Sequence, residues 1–187
     1  MGAYTKVSTD FFEQIQLDAG VVLKNFNPTS PSTIADSDFV CSTTGGVNIT
    51  VTPSYSDLGE DVDNVPNNTM ELMHHDGYDC KMSFTALSVT EYTLKLSLGA
   101  ADVNSTSHKV TPRRSLDEND FTDSIWWVGD MADGGFVAIC LKNVLSTGGL
   151  SLQTTKNGKG QLTVELTGHY SIDAQDTVPI ECYLIAA

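Results

Sequence analysis

Apolar and polar residues alternate in Val47-Asn48-Ile49-Thr50-Val51-Thr52 and again in Gln161-Leu162-Thr163-Val164-Glu165-Leu166-Thr167. That period of two marks a strand with one buried and one wet face. Gly45-Gly46 opens the first of these segments. Val21-Val22-Leu23 reads as a strand ending near Phe26, and Asn27–Ser37, with its two prolines, as a loop. Met70 to about His74 and Tyr78–Leu87 read as two strands joined by a hairpin turn at Asp76-Gly77. Ile125–Val128 and Phe136–Leu141 flank Met131–Gly135 as a second hairpin. Leu150–Thr155 and Gln161–Ile172 flank Lys156–Gly160 as a third, in which Asn157-Gly158 is the strong turn signal. Val178–Ile185 closes the chain as a strand, with Pro179 near its start, where a missing N–H is tolerated.

Helical patterning is sparse. Thr90 is a good N-cap for a helix over Glu91–Ala101 that sets Leu94, Leu98 and Ala101 on one face, although Leu94, Leu96 and Leu98 also fit a strand. A short helix around Thr9–Leu17 fits the weakly patterned first 20 residues. The expectation is a mainly β fold, sandwich-like or barrel-like, with one flanking helix: an N-terminal arm (1–20) followed by one β-domain (21–187). Asp57–Asn68 interrupts the pattern with a long acidic loop between strands, nearly devoid of apolar residues, and loops of that length are functional or order against a partner.

Composition sharpens this reading. The 187 residues are 40% apolar, enough for a core, and acidic residues outnumber basic ones 24 to 10 for a net charge of −14. Nucleic-acid binding draws on Lys and Arg, so this balance argues against gripping DNA or RNA. Arg113-Arg114, beside Pro112 and ahead of an acidic stretch, reads as a solvated loop. Met1–Leu17 mixes Lys6, Asp10 and Glu13 with scattered apolar residues, so neither a secretion signal nor a membrane span is expected. The four cysteines, Cys41, Cys80, Cys140 and Cys182, form no CxxC and are expected to be reduced, small apolar groups.

The search for chemistry returns little. His74-His75 with Asp76 and Cys80 resembles a metal cluster, but adjacent strand residues face opposite sides and do not reach one ion. Asp57, Glu60, Asp61 and Asp63 lack the Gly and Glu frame of a calcium loop. No GxSxG occurs, His108 and His169 stand in unrelated contexts, and Gly158-Lys159-Gly160 lacks P-loop spacing. No catalytic, cofactor-binding or metal-binding residue is assigned, and the chain is not expected to be an enzyme. Trp126-Trp127 places one ring inward and the other outward on a strand. The outward ring suits a subunit interface better than sugar stacking, since no other sugar-binding feature accompanies it; a structural role is the third option.

An ordered set of segments now carries a resemblance. Val21-Val22-Leu23-Lys24-Asn25-Phe26 is followed by Thr43-Thr44-Gly45-Gly46-Val47-Asn48 and Asp57-Leu58-Gly59-Glu60-Asp61-Val62-Asp63-Asn64. Trp126-Trp127-Val128-Gly129-Asp130, Asn143–Ser151, Gly158-Lys159-Gly160, Gly168-His169-Tyr170 and Pro179-Ile180-Glu181 follow. From about residue 20 onward this order resembles the major tail (tail tube) proteins of long-tailed bacteriophages and prophages. The resemblance implies a β-sandwich with a flanking helix, whose hexameric rings stack into a hollow tube that conducts DNA. It implies no active site and no cofactor. Its implied partners are copies of the chain and the tape-measure, tail-terminator and tail-tip proteins, in a virion tail assembled in the host cytoplasm, with no membrane. The family's long loop and terminal arms bridge subunits; Asp57–Asn68 matches that loop, so Asp57, Glu60, Asp61 and Asp63, with Trp126 and Trp127, are the expected interface residues.

Charge physics is compatible with this picture. High net charge keeps an unassembled subunit soluble, and carboxylates lining a channel repel phosphates so that DNA slides without specific binding. Two alternatives stand beside it. One is the tube subunit of a contractile tail or phage-derived injection particle; the other is a carbohydrate-binding β-sandwich.

Overall fold

A computed structural model describes Tyr4, Val7, Ser8 and residues 10–31 and 34–186. In chain order the strands are β1 (Val21–Leu23), β2 (Phe39–Cys41), β3 (Thr43–Asp57) and β4 (Met73–Ala86), followed by helix α1 (Glu91–Leu98). Then come β5 (Ala101–Asn104), β6 (Lys109–Pro112), β7 (Thr122–Asp130), β8 (Phe136–Ser146), β9 (Ser151–Gln153), β10 (Gln161–Gly168) and β11 (Ile180–Ile185). The fold is mainly β with one flanking helix, as the patterning predicts. All strands but β5 and β6 join one antiparallel sheet in the order β2-β1-β7-β8-β10-β4-β3, with β11 beside β8 and β9 beside β10; β5 and β6 form a separate hairpin.

β8 organises this sheet because it changes partner midway. One edge pairs with β7, while the other pairs with β11 over 136–141 and with β10 over 144–146. The switch falls at Asn143, whose φ of 48° is left-handed, a conformation that Asn tolerates better than most residues. Its side-chain amide donates to the His169 carbonyl at 2.9 Å, tying the switch to the end of β10.

The two arms diverging from β8 fold onto one core. Val22, Val40, Ile125 and Leu141 from one arm meet Met82, Phe84, Leu162 and Val164 from the other, with Leu96 of α1 closing the cluster. The opposite face of β7 and β8 is also buried: Trp126, Val128, Ala138 and Cys140 pack with Leu23 beneath Phe26 and Ile34. This double burial explains why Ile125–Val128 and Phe136–Leu141 read as apolar runs without clean alternation.

Several sequence expectations are corrected. The helix ends at Leu98, before Gly99 with its φ of 72°, and Ala101 belongs to β5. Its buried residues are Thr93, Leu96 and Ser97, with Leu94 and Leu98 only half-buried. Burying hydroxyls is tolerated here because each is satisfied by backbone: Ser97 Oγ donates to Thr93 O at 2.8 Å, and Thr93 Oγ1 joins the capping box with Thr90. Residues 10–14 form turns in place of the expected helix, with i→i+3 bonds such as Phe11 N to Ser8 O; Thr9 lies outside the described residues. Leu150–Thr155 shortens to the three residues of β9, and the expected strand Gln161–Ile172 stops at Gly168. There Tyr170 turns away to contact β4.

Arg113 is not solvated loop. Its guanidinium meets Asp102 of β5 (Nε to Oδ1, 2.8 Å), Asp117, and Asp120 (Nη2 to Oδ1, 2.6 Å). The Asp102 approach is an ion-pair contact only, since Nε lacks hydrogen-bond geometry to any acceptor. The Asp120 carboxylate is buried and also accepts from Asp117 N at 2.9 Å, so this cation holds the β5–β6 hairpin to the 117–120 turn.

Leu141, fully buried where the arms meet, sets the first prediction. Leu141→Ala is expected to cost about 2–5 kcal/mol. Leu58→Ala, at a side chain 64% exposed, is expected to stay within about 0.5 kcal/mol. Urea unfolding measures both, and equal costs would contradict this core assignment.

Candidate functional site

β10 supports β4 only from Ala86 to Cys80. Beyond that point β3 and β4 pair with each other alone, through Asp57↔Met73. Residues 50–56 and 73–76 are all exposed, so a two-stranded ribbon stands clear of the body. The expected turn at Asp76-Gly77 is a bulge within this ribbon: Ser54 pairs with Gly77 and Tyr55 with His75, which leaves Asp76 unpaired. Asp76 Oδ2 accepts from Ser56 Oγ at 2.6 Å. Tyr170 braces the bulge, its hydroxyl accepting from Tyr78 N at 2.9 Å and lying 3.3 Å from where a Cβ on Gly77 would sit. Beside it, His75 lies between Tyr55 and Tyr78, with ring centroids 5.2 and 4.5 Å away.

The tip, residues 58–72, is folded. Asp57 pins it at both ends, with Oδ1 accepting from Gly59 N at 2.8 Å and Oδ2 from Asn68 N at 2.7 Å. Leu58 N donates to Leu72 O at 2.9 Å, and further turns close from Val62 N to Gly59 O and from Val65 N to Val62 O. Gly59 is buried where a Cβ would come within 2.8 Å of Leu72 and 3.3 Å of Val65, so a larger residue here has to displace the Leu72 side chain. Asp61, Asn64 and Asn68 take left-handed φ between 61° and 65°, as polar turn residues do.

The expected interface residues therefore divide. Asp57 is an internal pin, a role that Asp57-Leu58-Gly59 signals in sequence as an Asx turn. Glu60, Asp61 and Asp63 are exposed on the tip. Apolar side chains accompany them: Leu58 is 64% and Met70 79% exposed, and Val62 faces solvent as well. Trp126 and Trp127 lie elsewhere. Trp126 is buried against Phe26 and Tyr183, with centroids 5.7 and 5.8 Å away. Trp127 is half-buried against the main core, its Nε1 donating to Ala19 O at 2.9 Å and Gly20 lying against its ring.

Other polar groups are engaged structurally. His108 Nδ1 lies 2.6 Å from Glu91 at the start of α1. His169 meets Phe121 edge to face, its Nδ1 3.2 Å from Asn143 O. That ring lines a shallow groove of about 480 Å³ with Tyr170 and Asp173. Among the described residues no three His, Cys, Asp or Glu gather to hold a metal, and no helix is long and apolar enough to cross a membrane. The four cysteines are free. Burial pushes the thiols up, that of Cys41 to about 11 and that of Cys140 to about 12, so neither supplies a thiolate near neutral pH.

On β8 and β11, Lys142 Nζ pairs with Glu181 Oε1, and Tyr183 Oη donates to Oε2 at 2.8 Å. The Lys142 bond holds Glu181 below the usual carboxylate range and Lys142 above its ordinary value. No protein-family model matches the chain, and no curated protein matches it.

Two predictions follow from this geometry. Asp57→Ala removes both pins, so the amides of Gly59 and Asn68 are expected to exchange with solvent faster by roughly 1–2 kcal/mol in local opening, while global unfolding barely changes. Hydrogen-exchange mass spectrometry checks this, and unchanged exchange over 58–68 would refute the pinning. For Glu181, the folded carboxyl ionises more readily than the unfolded one. Its stabilisation is thus complete above the ordinary value of about 4.3 and is lost as pH falls through the depressed one. Glu181→Gln is expected to flatten the stability loss between about pH 5 and pH 2, read from urea midpoints across that range.

Proposed function

We propose that the chain is a structural subunit of a phage tail tube, assembling into stacked, hexameric rings around a channel through which DNA passes without specific binding. The observation that carries this reading is the β3–β4 ribbon, exposed on both faces and ending in a folded acidic tip with outward Leu58, Val62 and Met70. Two strands without a third layer are marginal in water, and apolar side chains held outward on an ordered tip gain burial only against another surface. The segment order described above supports the tail-tube identity, and the position of the tip in that order agrees with the family's bridging loop.

Further features favour packing between copies. The outer edge of β3 is unpaired along its length among the described residues, and such an edge is a template for another chain. Phe12, 70% exposed, and Val7 add apolar surface on the N-terminal arm. The net charge of −14 keeps free subunits apart until a specific contact outweighs repulsion, and inward carboxylates would let DNA pass. The implied partners are other copies, with tape-measure, terminator and tip proteins at the ends of the tube.

Negative-stain microscopy and sedimentation across concentration and salt test this reading. Rings or striated tubes are expected, and a strict monomer under every condition would overturn it. Replacing residues 58–72 by Asn-Gly is expected to leave circular dichroism and the cooperative unfolding of the body intact while abolishing tubes. Normal tubes from that variant would remove the tip from assembly.

A further inference from the structure

The strand register sets two opposite charges at opposite ends of one sheet. At one end β3 and β4 run into the tip over 58–72, which carries Glu60, Asp61, Asp63 and Glu71 and no Lys or Arg. At the other end Ala86 pairs with Leu162, and β9 turns into β10 through residues 154–160. That turn carries Lys156 and Lys159 and no Asp or Glu. Both lysines are exposed, and among the described residues neither has an ion-pair partner. β4 has 14 residues between these ends, which at about 3.4 Å each separates them by roughly 45 Å. Within one molecule the two charges do not meet.

The sheet face at this end adds open surface but no further positive charge, Glu165 being the one charged residue of its groove. Beside the turn, the solvent face of β3, β4 and β10 carries a shallow groove of about 280 Å³ lined by Gly45, Gly46, Phe84, Thr85, Thr163 and Glu165. Gly45 and Gly46, with φ of 77° and 81°, have nothing within 4 Å of where a Cβ would stand, so the floor is open backbone. Val89 and Leu152, 48% and 47% exposed, supply apolar surface at this end, as Leu58, Val62 and Met70 do at the tip.

We infer that the acidic tip of one copy docks on the Lys156–Lys159 turn of the next copy, a heterologous head-to-tail contact along the sheet axis. This inference rests on the tube-subunit reading and names the surface that receives the tip. Such a contact repeats from copy to copy without closing on itself. Its charge pairing orients the copies and makes association salt-sensitive.

Carbodiimide, a zero-length reagent joining Lys to carboxylate, is applied to the assembling wild-type chain and the links are read by mass spectrometry. Links from Lys156 or Lys159 to Glu60, Asp61, Asp63 or Glu71 are expected, and the separation makes each of them intermolecular. Links from these lysines only to other carboxylates would overturn the proposal. Charge reversal provides a second arm. K156E/K159E and E60K/D61K/D63K are each expected to need a roughly tenfold or higher concentration to assemble, while an equimolar mixture of the two, or one chain carrying all five changes, recovers assembly. Both segments are exposed turns, and matching circular dichroism and thermal midpoints establish that the variants fold; K156Q/K159Q replaces a variant that does not. If wild type forms tubes and K156E/K159E forms them at the same concentration and salt, the docking proposal falls and the tube reading stands. A wild-type chain that stays monomeric throughout overturns both.

Discussion

β4 has 14 residues and β10, the strand that supports it, has eight, and this mismatch divides the molecule. Where the two run together, every second β4 side chain, from Cys80 through Met82 and Phe84 to Ala86, enters the common core. Where β10 stops, β4 keeps only β3, both faces turn to solvent, and burial ceases to specify the ribbon. Local devices take over: the bulge at Asp76, the Tyr170 hydroxyl on Tyr78 N, and the two Asp57 bonds at the tip. The body is thus held by apolar burial and the projection by hydrogen bonds and turn geometry. This is the division expected of an element that reaches its final packing against something else.

The sequence reveals the body well and the projection poorly, for the same reason. Gln161–Thr167 alternates because one face is buried, Val47–Thr52 because Val47 and Ile49 lean half-buried on the core although Val51 is exposed, and Asn157-Gly158 marks its hairpin through backbone preference alone, with Asn157 at a φ of 60°. Past Thr52 the alternation fades because neither face meets a core, so the 15-residue length of β3 is not legible from pattern. Asp76-Gly77 carries the local chemistry of a turn, but the ladder continues through it, and Tyr170, distant in sequence, occupies the space at the bulge. β5 and β6 escape notice because Asp102-Val103-Asn104 and Lys109-Val110-Thr111 are mostly exposed. What secures their hairpin to the 117–120 turn is Arg113, whose carboxylates at 102, 117 and 120 converge only in space.

The candidate site was legible in part. Composition and length single out the acidic loop without structure. The separate role of Asp57, and the outward setting of Leu58 and Met70, need the folded tip. The tryptophan pair shows the reverse limit. Alternation puts the two rings on opposite faces, as found, but it does not reveal that Ala19 and Gly20 lie against one and Phe26 against the other.

In the proposed assembly, a chain that joins its copies by edge and tip must also avoid the wrong register. Tyr78 gives its N–H to Tyr170 and not to its cross-strand partner Pro53. In an antiparallel ladder the polar groups of such a pair point away from each other, which sets the Pro53 nitrogen on the open side of β3, where it removes a donor from that edge. Toward the other end the Gly45-Gly46 bulge breaks the repeat between Thr44 and Val47. An incoming strand therefore meets an interrupted template, while the tip, fixed by Asp57 and aligned by the bulge at Asp76, presents one ordered surface. In the proposed assembly these interruptions limit the registers open to an edge contact, and the ordered tip selects among them.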